Sequence, residues 1–166
     1  MSDPGQPLRI PGVRFDRTLP AKVETVWACL TDPTRLPAWF GEDAIIEPRE
    51  GGALYMAGGH VRGVVTQWRP NVRFAHTWNV FGPGEAVSAY PESYLTFDLA
   101  PAGNSTALVL THLPVLERFE AQNQMGWHTF LDILEARLRG EPAQERRVYM
   151  ERNAARYGVD LDRLQS

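Results

Sequence analysis

The feature that most constrains the fold is a succession of β-strand patterns between residues 43 and 113. Apolar and polar residues alternate there in short runs, and glycine, proline or asparagine separates each run from the next. The predicted strands cover residues 44–47, 53–57, 60–69, 72–81, 93–100 and 106–113. The connections are too short for parallel crossovers, so neighbouring strands should pair antiparallel. Alternation leaves each strand with one apolar face, which another element must cover.

A long helix near the C-terminus is the predicted cover. Apolar residues recur at helical spacing at Trp127, Phe130, Leu131, Leu134 and Leu138, and Gly140 follows them. We therefore predict a helix over about residues 118–139. Residues 141–166 predict a further helix that packs on the domain or on a partner chain.

One strand and two short helices are predicted ahead of the sheet. The strand covers residues 13–18, and Thr18 can cap a helix that follows at once. The apolar stripe of that helix consists of Val23, Val26, Trp27 and Leu30. A second helix is predicted with Thr31 or Asp32 as its cap and Pro33 at its first position.

Length and composition restrict the class of protein. The chain has 166 residues, of which 43% are hydrophobic, so one domain with its own core is expected over 12–140, with a flexible arm at 1–11 and the helical extension at 141–166. Its single cysteine, Cys29, excludes a disulfide framework within one chain. The net charge of -3 does not favour nucleic acid as a partner. We expect no membrane span and a cytoplasmic location, because no long apolar run or leader pattern is present.

Motifs for metal, nucleotide or nucleophilic chemistry are missing from the sequence. The four histidines lie on separate predicted elements, without the spacing of metal ligands: His60, His76, His112 and His128. We therefore predict no metal and no cofactor. Cys29 belongs to an apolar helix face, where a free thiol usually packs as a small hydrophobe.

Four segments in register carry a resemblance to a known family. The first is Val26–Pro33 followed by Trp39-Phe40-Gly41, and the second joins Gly63-Val64-Val65 to Arg73–Trp78. The third is Thr106–His112, and the fourth is Gly126-Trp127 with Leu131 and Leu134. Together they resemble the START-like superfamily, in the branch similar to the C-terminal domain of the heat-shock chaperone ATPase activator.

This resemblance implies an α+β helix-grip fold. In that fold a curved antiparallel sheet of about seven strands wraps around a long C-terminal helix, with two short helices after the first strand and an apolar cavity between sheet and helix. The activator carries a separate N-terminal domain, whereas a short arm precedes the fold here, so co-chaperone activity is not expected.

Candidate ligand-binding residues are those predicted on the faces that line such a cavity. They are Trp39, Phe40, Tyr55, Phe74, His76, Trp78, Tyr94, Phe97, Leu110, His112, Trp127 and Phe130. His76 and His112 interrupt apolar faces, where they either orient a ligand or act as acid and base, or are held by a neighbouring hydroxyl or carbonyl. Gly126 is expected to permit close approach of another element. The loop at 81–90 is either a lid or a tolerated insertion.

Three functions follow from these expectations. The first is binding of a hydrophobic or aromatic small molecule in the cavity. The second is a cofactor-independent cyclase or dehydratase acting on a polyketide-like substrate, with His76 or His112 as general base. The third is a homodimeric or chaperone-interaction protein whose cavity is filled by side chains. Of these three functions, catalysis is the least favoured.

Overall fold

The sheet and the long helix form the framework of the molecule. The computed structural model describes residues 3–41, 43–142 and 144–164. Its strands are β1 (Val13–Leu19), β2 (Ala44–Ile46), β3 (Ala53–Met56), β4 (Val61–Arg69), β5 (Arg73–Val80), β6 (Ser93–Ala102) and β7 (Ser105–Leu113). Its helices are α1 (Val23–Thr31), α2 (Pro37–Phe40), α3 (Glu120–Leu138) and α4 (Arg146–Tyr157). Short 3₁₀ turns occupy Ala57–Gly59, Glu117–Phe119 and Leu161–Arg163.

All seven strands belong to one antiparallel, curved sheet in the order β1-β7-β6-β5-β4-β3-β2. The first strand therefore pairs with the last, and the chain returns to the sheet edge where it began. This arrangement confirms the predicted α+β helix-grip fold. Each predicted strand between residues 43 and 113 is present, with its ends displaced by at most a few residues.

The start of both short helices differs from the prediction. Thr18 is the sixth residue of β1 and caps nothing, since α1 begins after Lys22, whose side chain makes no capping hydrogen bond. The second helix begins at Pro37 and not at Pro33. Asp32 accepts hydrogen bonds from the backbone and hydroxyl of Thr34, which closes a turn. Pro37 has no N–H to continue that turn as a regular helix.

The core lies between the sheet and α3. Three α3 side chains, Trp127, Leu131 and Leu134, are at most 4% exposed, and they share one core cluster with strand residues such as Leu95 and Leu110, which are at most 1% exposed. Helix α4 packs on α3, where the Asn153 amide nitrogen donates to Thr129 and Asp132. Among the described residues, no helix is both long and apolar enough to cross a membrane.

Candidate functional site

Aromatic side chains fill most of the space between the sheet and α3. The void at its centre measures only about 10 Å³, close to the room needed by one water molecule. Its walls include Trp39, Phe40, Phe74, Phe97 and Trp127. The space between the middle of the sheet and α3 is therefore packed core and offers no room for a ligand.

Ring contacts hold these aromatic side chains in place. Phe40 stacks on Phe130 with 4.5 Å between ring centroids, and Trp78 meets Trp127 nearly edge to face at 5.5 Å. Phe74 lies parallel to Phe97 at 6.2 Å. Such offset and edge contacts are the favoured arrangements of aromatic pairs.

His76 is buried within this aromatic interior at 1% exposure. Its Nδ1 lies 2.8 Å from the carbonyl oxygen of Thr77. A carbonyl only accepts, so Nδ1 carries the ring proton and donates it to that oxygen. Burial lowers the pKa of His76 to about 4. The imidazole is therefore neutral at pH 7 and is held by a neighbouring carbonyl.

His112 joins the sheet to the long helix through both ring nitrogens. The indole Nε1 of Trp127 donates to His112 Nδ1 at 3.0 Å. That bond leaves the proton on Nε2, which donates to the Ser93 hydroxyl at 2.8 Å. Ser93 in turn donates to the carbonyl of Trp78 at 3.1 Å.

Protonation of His112 is doubly unfavourable. Burial, and after it the charge of a protonated His76, lower the pKa of His112 to about 4. A second ring proton on Nδ1 would also turn this nitrogen into a donor that faces the N–H donor of Trp127. Neutral His112 is thus the form that this hydrogen-bond chain requires.

Open space occurs at one end of the interface between the sheet and α3, where the first half of α3 faces the end of β5. Three cavities of about 160, 280 and 780 Å³ meet there. All three are lined by Val80 and Asn123. We call their combined volume the groove. Its other principal walls are Phe40, His60, Trp78, Tyr90, Phe119, Gln122, Gly126, Trp127, Phe130 and Arg146.

The loop between β5 and β6 forms one wall of the groove. Gly82, Pro83, Ala89 and Tyr90 line the largest cavity. The Tyr90 ring meets Phe119 at 5.1 Å, nearly edge to face. The Ser88 hydroxyl accepts from the Val80 amide and donates to the Tyr90 carbonyl, which folds the loop back on its own base.

The segment after α3 contributes to the groove from the opposite side. Arg146, the first residue of α4, donates to the carbonyl oxygen of Phe40 and places its guanidinium 4.9 Å from the centre of the Phe130 ring. Leu164 lines the largest cavity. The segment therefore supplies both a charged and an apolar wall.

The sequence-based candidates divide between core, groove and surface. Five of them line the groove: Phe40, Trp78, His112, Trp127 and Phe130. Five belong to the packed core: Trp39, Phe74, His76, Phe97 and Leu110. Tyr55 and Tyr94 are 46% and 47% exposed, and the Tyr94 hydroxyl donates to Glu92. These two tyrosines do not line the interior, because their strand positions alternate with the buried ones.

Asn123 and Gly126 have roles in the groove that the sequence did not predict. Nothing lies within 4 Å of a Cβ built on Gly126, so the expected close approach of another element is wrong. The glycine instead widens the groove. Asn123, Trp127 and Phe130 have the i, i+4, i+7 spacing of one helix face, and this spacing could have identified Asn123 as a groove residue.

His128 lies in a polar contact away from the groove. Its Nδ1 is 2.7 Å from the Tyr157 hydroxyl of α4, and its ring meets Phe15 of β1 nearly edge to face. Cys29 is partly buried, and burial raises the pKa of its thiol, which disfavours the reactive thiolate.

Comparison with known proteins agrees with the observed fold. A protein-family model described as Activator of Hsp90 ATPase homolog 1-like protein matches residues 20–139. No curated protein matches the sequence.

Solved structures extend the likeness over more of the chain. CalU16 from Micromonospora echinospora is 26% identical, with 89% of this chain and 86% of that chain covered and a TM-score of 0.72. MLL2253 from Mesorhizobium loti is 25% identical, with 80% and 99% covered and a TM-score of 0.68. PFC0360w, an HSP90 activator from Plasmodium falciparum, is 19% identical, with 81% and 99% covered and a TM-score of 0.65, and it shares the fold.

Proposed function

The chain belongs to the Activator of Hsp90 ATPase homolog 1-like family, and from this premise we propose that it binds a compact, ring-containing small molecule in the groove. The family and its fold are compatible with small-molecule binding. The observation that carries the proposal is the contrast between a packed interior and an open, aromatic-walled groove at one end.

The size and the walls of the groove support this function. Small-molecule sites measure roughly 300–1,000 Å³ and combine apolar walls with a few polar groups. The two larger cavities, of about 280 and 780 Å³, approach and enter that range. Trp78, Trp127 and Phe130 offer ring surfaces for an aromatic ligand, while His60 and Asn123 offer polar groups at its edge.

The geometry of His76 and His112 favours binding over the acid–base catalysis that the sequence suggested for these two residues. A cyclase reaction would use a general base whose lone pair is free to take a proton from the substrate. His112 borders the groove, but both of its ring nitrogens are engaged. His76 lies beside the small central void, which is too small for a substrate. The homodimer and the cytoplasmic location remain predictions from the sequence.

Two substitutions at one groove position test the proposal. Gly126→Leu would place a branched side chain in the 280 Å³ cavity, whereas Gly126→Ala, the matched control, adds only a methyl group. The ligand panel would contain fatty acids, flavonoids, sterols and aromatic carboxylic acids, with the shift in melting temperature as the readout. A ligand at 100 times its dissociation constant stabilises the native state by about 2.7 kcal/mol.

The expected result is a shift with ring-containing compounds that Gly126→Ala keeps and Gly126→Leu abolishes. Both variants should be folded, because alanine in a helix is about 1 kcal/mol more favourable than glycine and leucine is nearly as good. Absence of any shift in the wild-type protein, or a full shift in Gly126→Leu, would refute binding in the groove.

A further inference from the structure

The charge of the groove differs in sign from that of the chain. The protein has 20 acidic and 17 basic residues, so a random surface would include carboxylates. Among the described residues that line the three cavities there is no aspartate or glutamate. Arg146 is the guanidinium in this wall, and His60 adds an imidazole. The groove is therefore suited to an anion.

Arg146 is positioned to meet a ligand that lies on the aromatic wall. Its guanidinium is 4.9 Å from the centre of the Phe130 ring and donates to the Phe40 carbonyl. A guanidinium has five N–H donors in a planar fork, so one carbonyl bond leaves donors for a ligand. Gly41 makes room for this position, because a Cβ there would collide with the guanidinium.

The pairing of Arg146 differs from that of its neighbour. Arg147 forms an ion pair with Glu151 at 2.8 Å on the exposed side of α4. Within the part of the chain that the structure describes, no carboxylate lies within ion-pair distance of Arg146. A half-buried cation beside apolar rings gains most from a partner that brings its own negative charge.

We propose that the ligand of the groove is an aromatic carboxylate, whose ring lies against Trp78, Trp127 and Phe130 while its carboxylate pairs with Arg146. This inference rests on the proposed function and names its ligand class. A carboxylate matches the guanidinium fork through two parallel hydrogen bonds. Arg146 is the one guanidinium among the described residues that line the groove, so a monoanion is favoured over a dianion, whose second charge would meet no second guanidinium there.

The selection of an anion would be a property of this chain and not of the family model. Arg146 follows residue 139, where the family match ends. The extension would thus act as a specificity element that closes one side of the groove.

Calorimetric titration with two matched probes tests the proposal. The probes are 2-naphthoate and 2-naphthamide, which share the ring system and differ in charge. A charge-assisted hydrogen bond is worth about 10- to 100-fold in affinity. The wild-type protein should therefore bind 2-naphthoate tighter than 2-naphthamide by that factor.

Variants at two neighbouring arginines identify the charge responsible. Arg146→Met keeps an apolar stem over Phe130 and should bring the affinity for 2-naphthoate down to that for 2-naphthamide. Arg146→Lys keeps the charge without the fork and should retain part of the preference. Arg147→Met is the matched control, and it should retain the whole preference. Equal melting temperatures would show that Arg146→Met remains folded.

Each contrary result has its own meaning. Equal wild-type affinity for the two probes, or an unchanged preference in Arg146→Met, overturns the anion proposal and leaves binding in the groove intact. Binding of neutral ring compounds from the panel with no binding of 2-naphthoate has the same consequence. If neither the probes nor the panel bind, both proposals fail together.

Discussion

The indole of Trp127 donates a 3.0 Å hydrogen bond to Nδ1 of His112, and this bond ties the long helix to strand β7. The two residues are 4% exposed, so water does not compete for either group. His112 continues the tie across the sheet to Ser93 of β6. The floor of the groove is fixed by this chain, because Trp127 and His112 both line it.

Removing either end of this tie should destabilise the fold. Trp127→Phe leaves His112 Nδ1 without a donor, and we expect a loss of about 2 kcal/mol in the free energy of unfolding. His112→Phe leaves the indole N–H and the Ser93 hydroxyl without this partner and should cost a similar amount. Urea denaturation of both variants and of the double variant measures the coupling. Strict additivity, within about 0.3 kcal/mol, would contradict the tie.

The buried histidines predict a loss of stability in mild acid. The pKa of both His76 and His112 is lowered from 6.5 to about 4 in the folded protein. Below pH 6.5 the unfolded chain therefore binds more protons, so their stabilisation is complete above pH 6.5 and disappears as the pH falls toward 4. We expect about 2 kcal/mol per histidine to be lost between pH 7 and pH 5. The lowered pKa of His128 acts in the same direction.

Urea denaturation at pH 7, 6 and 5 measures this slope. His76→Phe removes one of the two buried titrating groups, so the variant should lose about 2 kcal/mol less than the wild-type protein between pH 7 and pH 5. A variant slope equal to the wild-type slope would mean that His76 is not neutral and buried in the native state.

The ion pairs of Arg17 should matter more than those of Arg14, although both lie on β1. Arg17 bonds Asp132 at 2.9 Å and Glu135 at 3.1 Å, with side chains 18–20% exposed. Arg17→Met leaves two poorly solvated carboxylates without this partner, and we expect it to cost about 2 kcal/mol.

Arg14→Met is the control for that substitution. Arg14 and Asp16 form a pair in which both side chains are 64% exposed, and exposed pairs contribute little because water solvates and screens them. No measurable change in the urea midpoint is expected. Equal losses in the two variants would show that Arg17 contributes no more than a surface charge.

Much of the fold was predictable from local patterns. Alternation between residues 43 and 113 located the strands, because a pleated strand with one buried face imposes a period of two. Helical spacing from Trp127 to Leu138 located α3, because a helix with one buried face imposes a period of 3.6 residues. Val72 shows the limit of such patterns, since it continues the alternation of β5 but lies in the turn before it at 52% exposure.

The candidate site was predicted less completely. Five of the predicted candidates line the groove, and they were candidates because large or polar residues on an apolar face are visible in the sequence: Phe40, Trp78, His112, Trp127 and Phe130. Tyr55 and Tyr94 were misplaced because their side chains lie on the other side of the sheet. Local patterns gave no sign of Arg146, since its partner Phe40 lies 106 residues away.

The sequence by itself determined the order of the strands and helices along the chain and which of their faces are apolar, because these depend on short-range periodicity and on the burial of apolar area. Tertiary structure alone decided that the space between the middle of the sheet and α3 is filled by side chains and that one end of this space is open. Those outcomes depend on how bulky rings from distant segments meet, as Phe40 and Phe130 do at 4.5 Å. A single rotamer can fill or empty such a space, and no local pattern specifies it.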